Sequence, residues 1–163
     1  RLVSDWSSDV CSSDLFELAL ACHWRFASEH AQIGLTECTL GIIPGYGGTQ
    51  RLARLIGRGR ALEMLCTGAR INAQQSFELG IVNKVVKGEE LMTAARASVE
   101  AIARCAPLAV KYSIEAVNRG LDSTVEEGLR IEADLFGIIS SSADMREGLN
   151  AFLEKRPAQF KNK

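Results

Sequence analysis

Glu17 and Glu37 stand twenty residues apart, and the second opens a run, ECTLGIIPGYGG, that follows AQIGLT. The full stretch AQIGLTECTLGIIPGYGG holds five glycines and Pro44. Such backbone turns sharply or approaches another group closely. Two carboxylates beside it can divide general-acid and general-base work if their surroundings separate them. Glu17 falls in the first turns of the apolar helical segment FELALAC, where a carboxylate meets a favourable helix dipole and loses water. Glycines 45, 47 and 48 serve equally well as a tight turn. His23 and His30 have no carboxylate or cysteine partner at ligand spacing and read as structural or exposed. Five cysteines, Cys11, Cys22, Cys38, Cys66 and Cys105, form no C-x-x-C pair. A disulfide framework and a metal site are therefore not expected, and a reducing cytoplasm is.

Composition sets the class of molecule that positions these groups. The 163 residues are 47% hydrophobic and 24% charged, with a formal net charge of −1, which fits an ordinary globular chain of one domain. There is no basic surplus to draw nucleic acid or an anionic membrane. No apolar run reaches the ~18 residues of a membrane span, and no basic start precedes an apolar signal core.

The pattern then divides the chain. Ser4 to Asp14, SDWSSDVCSSD, has neither helical period nor strand alternation and is expected to be disordered. RLVSDWSSDVCSSDL resembles the translated product of a sequencing adapter, so residues 1–15 are set aside as non-native and an N-terminal half is expected to be missing. FELALAC reads as a helix, HWRFAS as a short strand, and Thr49–Ile56 as a helix. RALEMLCTG ends on a C′ glycine, Gly68, and NAQQSFELG begins with a capping box, Asn72 with Gln75. IVNKVV reads as the second clear strand. Residues 16–87 are thus α/β and 88–163 helical. Helices are expected over 88–105, from Pro107, from a Ser123/Glu126 capping box, and from about Ala143 to Arg156. The third carries apolar residues at Val125, Leu129, Ile131, Leu135, Phe136, Ile138 and Ile139, more than one stripe, which calls for cover on two sides, including from another subunit.

The segments FELALAC, AQIGLTECTLGIIPGYGGTQRLARLIG, ALEMLCTGARINAQQSFELGIVNKVV and EGLNAFLEKRPAQFK resemble the C-terminal half of the enoyl-CoA hydratase/isomerase (crotonase) family. The resemblance covers Phe16 to Lys163, and its P-G-x-G-G-T-Q-R-L core is specific. It implies a crotonase-type ββα spiral, here truncated at the N-terminus, with a C-terminal helical oligomerisation region. It also implies an acyl-CoA thioester substrate and a homotrimer or hexamer. No separate cofactor is implied, because CoA is part of the substrate. Glu17 and Glu37 fall on the family's two acids, Glu37 being the expected proton donor to C2. Gly45 falls where a backbone N–H helps to position water. Phe136 and Lys155 match positions contacting the adenine end of CoA. Interface packing and a plain surface lysine are the competing readings of those two. Arginines 51, 54, 58, 60 and 70 read mainly as a solvated face.

The family carries glycines where this chain has Ser13, Asp14 and Leu15, and one of them supplies an oxyanion N–H. The other donor belongs further upstream. The reaction builds negative charge on the thioester oxygen, so fixed N–H dipoles matter most there. The expected function of the parent is therefore an enoyl-CoA hydratase, with this chain alone expected to be inactive. Alternatives are an enoyl-CoA isomerase, a dehalogenase or a ring-forming synthase within the family, and a non-catalytic RNA-binding module outside it.

Overall fold

A computed structural model of the protein describes residues 13–163. The adapter-like disorder expected up to Asp14 lies outside these residues as far as Ser12, but Ser13, Asp14 and Leu15 do not behave that way. They form the first turn of α1 (Ser13–Leu20). Phe16, Ala19 and Leu20 bury one face of that helix and take Glu17 in with them, while Leu15 and Leu18 stay exposed. The helical period extends three residues ahead of the apolar run because Asp14 suits a helix first turn.

The strands are shorter and more numerous than the sequence pattern indicates. β1 (Phe26–Ser28), β2 (Gln32–Gly34), β3 (Arg70–Asn72) and β4 (Lys84–Val86) each have three residues. β1 pairs with β4 in parallel, Phe26 opposite Lys84, and β2 pairs with β3 antiparallel, Ile33 opposite Ile71. Three residues are too few to show a period of two, which is why β2 and β3 escape a pattern reading. Between them lie α2 (Gly48–Ile56), α3 (Arg58–Thr67) and α4 (Ala73–Glu78). α3 closes on Gly68 in the left-handed conformation, and α4 opens with the expected box, Asn72 accepting from the Gln75 N–H at 2.8 Å and Gln75 reaching back to the Asn72 N–H at 3.0 Å. Phe16, Leu20, Leu35, Leu52 and Ile81 are among the buried residues that join these elements into one core.

A half-buried cation, Arg25, ties that core to α1. Arg25 donates from Nε to the Ile81 carbonyl at 2.5 Å and from Nη1 to the Cys22 carbonyl at 3.0 Å and, more weakly, to that of Ala19 at 3.5 Å. Its backbone N–H reaches Asn83 Oδ1 at 2.9 Å. Burial pulls its pKa down from the ordinary arginine value. The fork closes the C-terminal end of α1, whose last carbonyls have no partner within the helix.

The chain forms two compact units, residues up to Ala97 and Ser98–Lys163, divided within α5 (Leu91–Ala103). In the second unit α6 (Pro107–Leu121) carries Pro107 in its first turn and lies against α7 (Val125–Ser140), with Gly120 and Gly128 packed against each other. The cap of α7 is Thr124, which accepts from the Glu127 N–H at 3.2 Å. It is not Ser123, whose hydroxyl is turned back to the Gly120 carbonyl at 3.1 Å. Ile131 and Leu135 are the buried stripe of α7, whereas Leu129 and Phe136 remain 60% and 64% exposed. α8 (Ala143–Leu153) ends three residues before the expected Arg156. No described helix is long and apolar enough to cross a membrane.

After α8 the chain folds back onto it. The Asp144 carboxylate accepts from the Lys161 N–H at 2.7 Å and the Asn162 N–H at 2.8 Å. Arg156 Nη1 and Nη2 grip Glu147 Oε1 and Oε2 at 2.6 and 3.0 Å, and the Gln159 N–H adds a third bond to Oε1 at 2.8 Å. The Arg156 hydrogen bond, helped by the Gln159 N–H, holds the Glu147 carboxyl at about 2, below its ordinary 4.5.

Two outcomes follow from these ties. Arg25→Met leaves the Ile81 and Cys22 carbonyls unpaired and lowers stability by roughly 1–3 kcal/mol in urea titration, with Arg25→Lys recovering part of it. The Glu147–Arg156 contribution is present above pH 4.5 and is lost as the pH falls through about 2, because the folded state holds the carboxylate more strongly than the unfolded chain. Urea midpoints of the wild type and Glu147→Gln should therefore differ at pH 6 and converge as pH approaches about 2. High salt should shrink the gap, since the pair is partly exposed.

Candidate active site

Glu17 lies on the buried face of α1, 1% exposed. Its Oε1 accepts two backbone N–H groups, from Tyr46 at 3.0 Å and from Gly48 at 2.5 Å. Gly48 is the first residue of α2, and no side chain at the cap position Gly47 closes that helix. Glu17 therefore acts as a cap supplied from another helix, its charge set at the positive end of α2. This corrects the expectation drawn from position alone. The favourable dipole belongs to α2, because Glu17 is the fifth residue of its own helix.

The approach is close enough to dictate the residue at position 48. A Cβ on Gly48 would stand 2.8 Å from Glu17 Oε1 and 3.0 Å from both Glu17 Cγ and Leu35 Cδ1. The loop ahead of it is held by Arg51, whose Nη1 donates to the Tyr46 carbonyl at 2.6 Å across Gly47. Gly47 has φ 94°, a left-handed conformation, and a Cβ there would strike Arg51 Nη1 at 2.5 Å. Arg54 is occupied with Gln50 at 3.1–3.2 Å.

Glu37 begins a 3₁₀ turn, Glu37–Leu40, that closes at Gly41 with φ 77°. Its side chain is 5% exposed. Thr39 Oγ1 donates to the Thr36 carbonyl at 2.7 Å, and the Ile42 N–H returns to the Glu37 carbonyl at 3.2 Å, which fixes the turn from both sides. Neither oxygen of Glu37, nor Glu17 Oε2, has a hydrogen-bond partner among the described residues. Carboxylate oxygens of Glu17, Glu37 and the exposed Asp14 lie within 4.8 Å of one another. A single water spans such a gap with a hydrogen bond to each side. The same three oxygens could also ligate one oxygen-preferring divalent cation, which the chemistry proposed below does not need.

Gly45 is exposed, with nothing within 4 Å of where a Cβ would stand. The N–H groups that meet Glu17 come from its neighbours at 46 and 48. Phe136, on α7, and Lys155, just past α8, are exposed residues of the second unit, while both glutamates belong to the first. His30 is exposed beside Glu29 at 3.6 Å, and exposed His23 lies against Trp24. Sequence reading missed Gly48 as the oriented donor, Arg25 as the anchor of α1 and Asp14 as a third converging carboxylate. The P-G-x-G-G run pointed to the first of these; nothing local pointed to Arg25, whose partners are up to 58 residues away.

Comparison with known proteins gives the family to which this fold belongs. The sequence profile of the enoyl-CoA hydratase/isomerase family matches residues 14–163. The chain belongs to that family. It is 45% identical over 147 residues to a crotonyl-CoA hydratase of Syntrophomonas wolfei, covering 90% of this chain and 56% of that protein. It is 43% identical over 148 residues to a short-chain-enoyl-CoA hydratase of Clostridium acetobutylicum, covering 57% of it. The chain thus spans a little over half the length of these relatives. Its fold matches an enoyl-CoA hydratase of Geobacillus kaustophilus with a TM-score of 0.90 at 45% identity, over 93% of this chain and 59% of that one. One from Bacillus anthracis gives 0.89 at 46% identity, over 91% and 57%. The fold is accordingly the α/β spiral type of the crotonase family, followed by a helical region.

The steric constraint at position 48 has a direct test. Gly48→Ala should cost about 1–3 kcal/mol by overpacking against Glu17 and Leu35, read from the denaturant midpoint. Gly45→Ala, with open space around it, should be close to neutral in the same measurement.

Proposed function

We propose that this chain carries the acid/base pair of an enoyl-CoA hydratase, which adds water across the C2–C3 double bond of trans-2-enoyl-CoA thioesters. The observation that supports this best is the convergence of Glu17 and Glu37, both buried, with a carboxylate oxygen of each within 4.8 Å of the other's, and with Glu17 Oε2 and both Glu37 oxygens unpaired among the described residues. Buried carboxylate oxygens are costly without partners, and an arrangement that retains three of them points to a polar reactant.

In this reading one water is held between Glu17 Oε2 and Glu37. Its oxygen bonds to C3 as the C2–C3 π pair moves toward the thioester carbonyl. Glu17 takes the water's proton, and Glu37 delivers a proton to C2. The product gains OH at C3 and H at C2. Proton transfer from Glu17 to Glu37 through the next water restores the starting state. Oε1 of Glu17, engaged by two N–H groups, keeps the carboxylate aimed while Oε2 reacts. Asp14 adds a further negative charge beside this pair, where it opposes the charge building on the substrate. Gly45, Phe136 and Lys155 are assigned to substrate, the last two to the nucleotide end of CoA. The crotonyl-CoA and short-chain-enoyl-CoA hydratases among the relatives favour short acyl chains. The exposed apolar residues of α7 suit a trimer or hexamer.

An isomerase would need only one acid of the pair, so the presence of both favours hydration. The test is loss of enoyl absorbance from crotonyl-CoA with the protein that carries this chain. Glu37→Gln should lower turnover about 10²–10⁴-fold while CoA-thioester binding stays nearly unchanged. Double-bond migration without hydration, or full turnover in Glu37→Gln, would reject the assignment.

A further inference from the structure

Two non-glycine residues among those described have a left-handed backbone, Lys155 at φ 54° and Asn162 at φ 59°. Asparagine tolerates that region, but a lysine with its Cβ does so at a cost. Elsewhere the chain uses glycine at such positions: Gly41, Gly47, Gly57, Gly68 and Gly80. Lys155 occupies the position just past the end of α8 where a closing glycine ordinarily stands. The motif around it is complete: the Arg156 N–H returns to the Ala151 carbonyl at 3.0 Å and the Lys155 N–H to Phe152 at 3.3 Å.

What keeps lysine in this conformation is the network on its C-terminal side. Arg156 is locked by the two-pronged grip on Glu147, by Nε on Glu154 Oε2 at 2.5 Å, and by Nη1 on the Pro157 carbonyl at 3.3 Å. Glu147 holds the Gln159 N–H and Asp144 holds those of Lys161 and Asn162, so the backbone following Lys155 is pinned at three further points. Strained backbone of this kind persists where the surroundings over-determine it, and it marks functional positions. The Arg156 guanidinium is consumed within the network, whereas the exposed Lys155 ammonium has no acceptor among the described residues.

We infer that Glu147 and Arg156 are positioning residues that fix Lys155 as a preset contact for a phosphate of the CoA nucleotide. This rests on the assignment of Lys155 to CoA made above and extends it to two side chains that themselves touch no ligand. Fixing the backbone that carries the ammonium removes part of the entropy otherwise lost when a lysine meets a phosphate.

The test compares CoA with pantetheine, which lacks the nucleotide and its phosphates. Calorimetric affinities should fall about tenfold for CoA in Lys155→Gly, and several-fold in Glu147→Gln, with pantetheine unchanged in both. Lys155→Gly should at the same time raise Tm, because glycine relieves the left-handed strain. Combining the two substitutions should add little beyond Lys155→Gly alone. With crotonyl-CoA, KM should rise while kcat holds, and neither should move with crotonyl-pantetheine. If Glu147→Gln does not fold, Arg156→Lys, which keeps the charge and loses the fork, makes the same comparison. Unchanged CoA affinity in Lys155→Gly, equal losses for CoA and pantetheine, or fully additive losses would each overturn the inference. CoA discrimination without any hydration would instead reject the hydratase assignment and leave this one standing, and a wild type that does not bind CoA would reject both.

Discussion

The hydrogen bonds from the Tyr46 and Gly48 N–H groups to Glu17 Oε1 hold the first unit in its working arrangement. They join three things that the chain otherwise supplies separately: the buried face of α1, the turn through Gly47, and the open N-terminus of α2. A carboxylate buried in an apolar helix face is unfavourable unless its charge is met. An uncapped helix start is unfavourable unless its N–H groups are met. Each satisfies the other, and the result needs no counter-cation.

Geometry elsewhere serves this contact. Gly48 has no Cβ because the carboxylate takes its space, and Gly47 is left-handed so that the chain can swing from Tyr46 into α2 beneath Arg51. Arg25 holds the far end of α1 against the Ile81 carbonyl. Glu37 is presented by a separate device, the 3₁₀ turn that Gly41 closes. Since the two acids are mounted on different elements, their separation is set by core packing around Leu35 and Leu52, both fully buried, and not by any bond between them.

Much of this was legible in the sequence, and what was not has physical causes. The capping box at Asn72, the stop at Gly68 and the helix from Pro107 depend on residues within four positions of each other, so local pattern suffices. The glutamates and the glycine run could be singled out because their residue types carry chemistry wherever they lie. The three-residue strands were too short to declare a period, and Thr124 displaced Ser123 as cap by a choice between adjacent hydroxyls. The dipole acting on Glu17 was assigned to its own helix because α2 is 31 residues further on. The Glu147–Arg156 fork, nine residues apart across a chain reversal, has no helical or strand spacing to announce it.

The pair of hydrogen bonds accepted by Oε1 also gives Glu17 a handedness that a freely rotating carboxylate lacks. Rotating the group by half a turn would exchange a twice-bonded oxygen for a bare one, so the two oxygens are not interchangeable. Only one of them, on one side of α1, can meet a reactant. A planar alkene presented to such a group is approached from a single face. Under the proposed hydration, the new hydroxyl-bearing carbon at C3 would therefore form in one configuration, and the reverse elimination would accept that configuration alone. Stereochemical choice would then depend in part on the two backbone amides that orient Glu17.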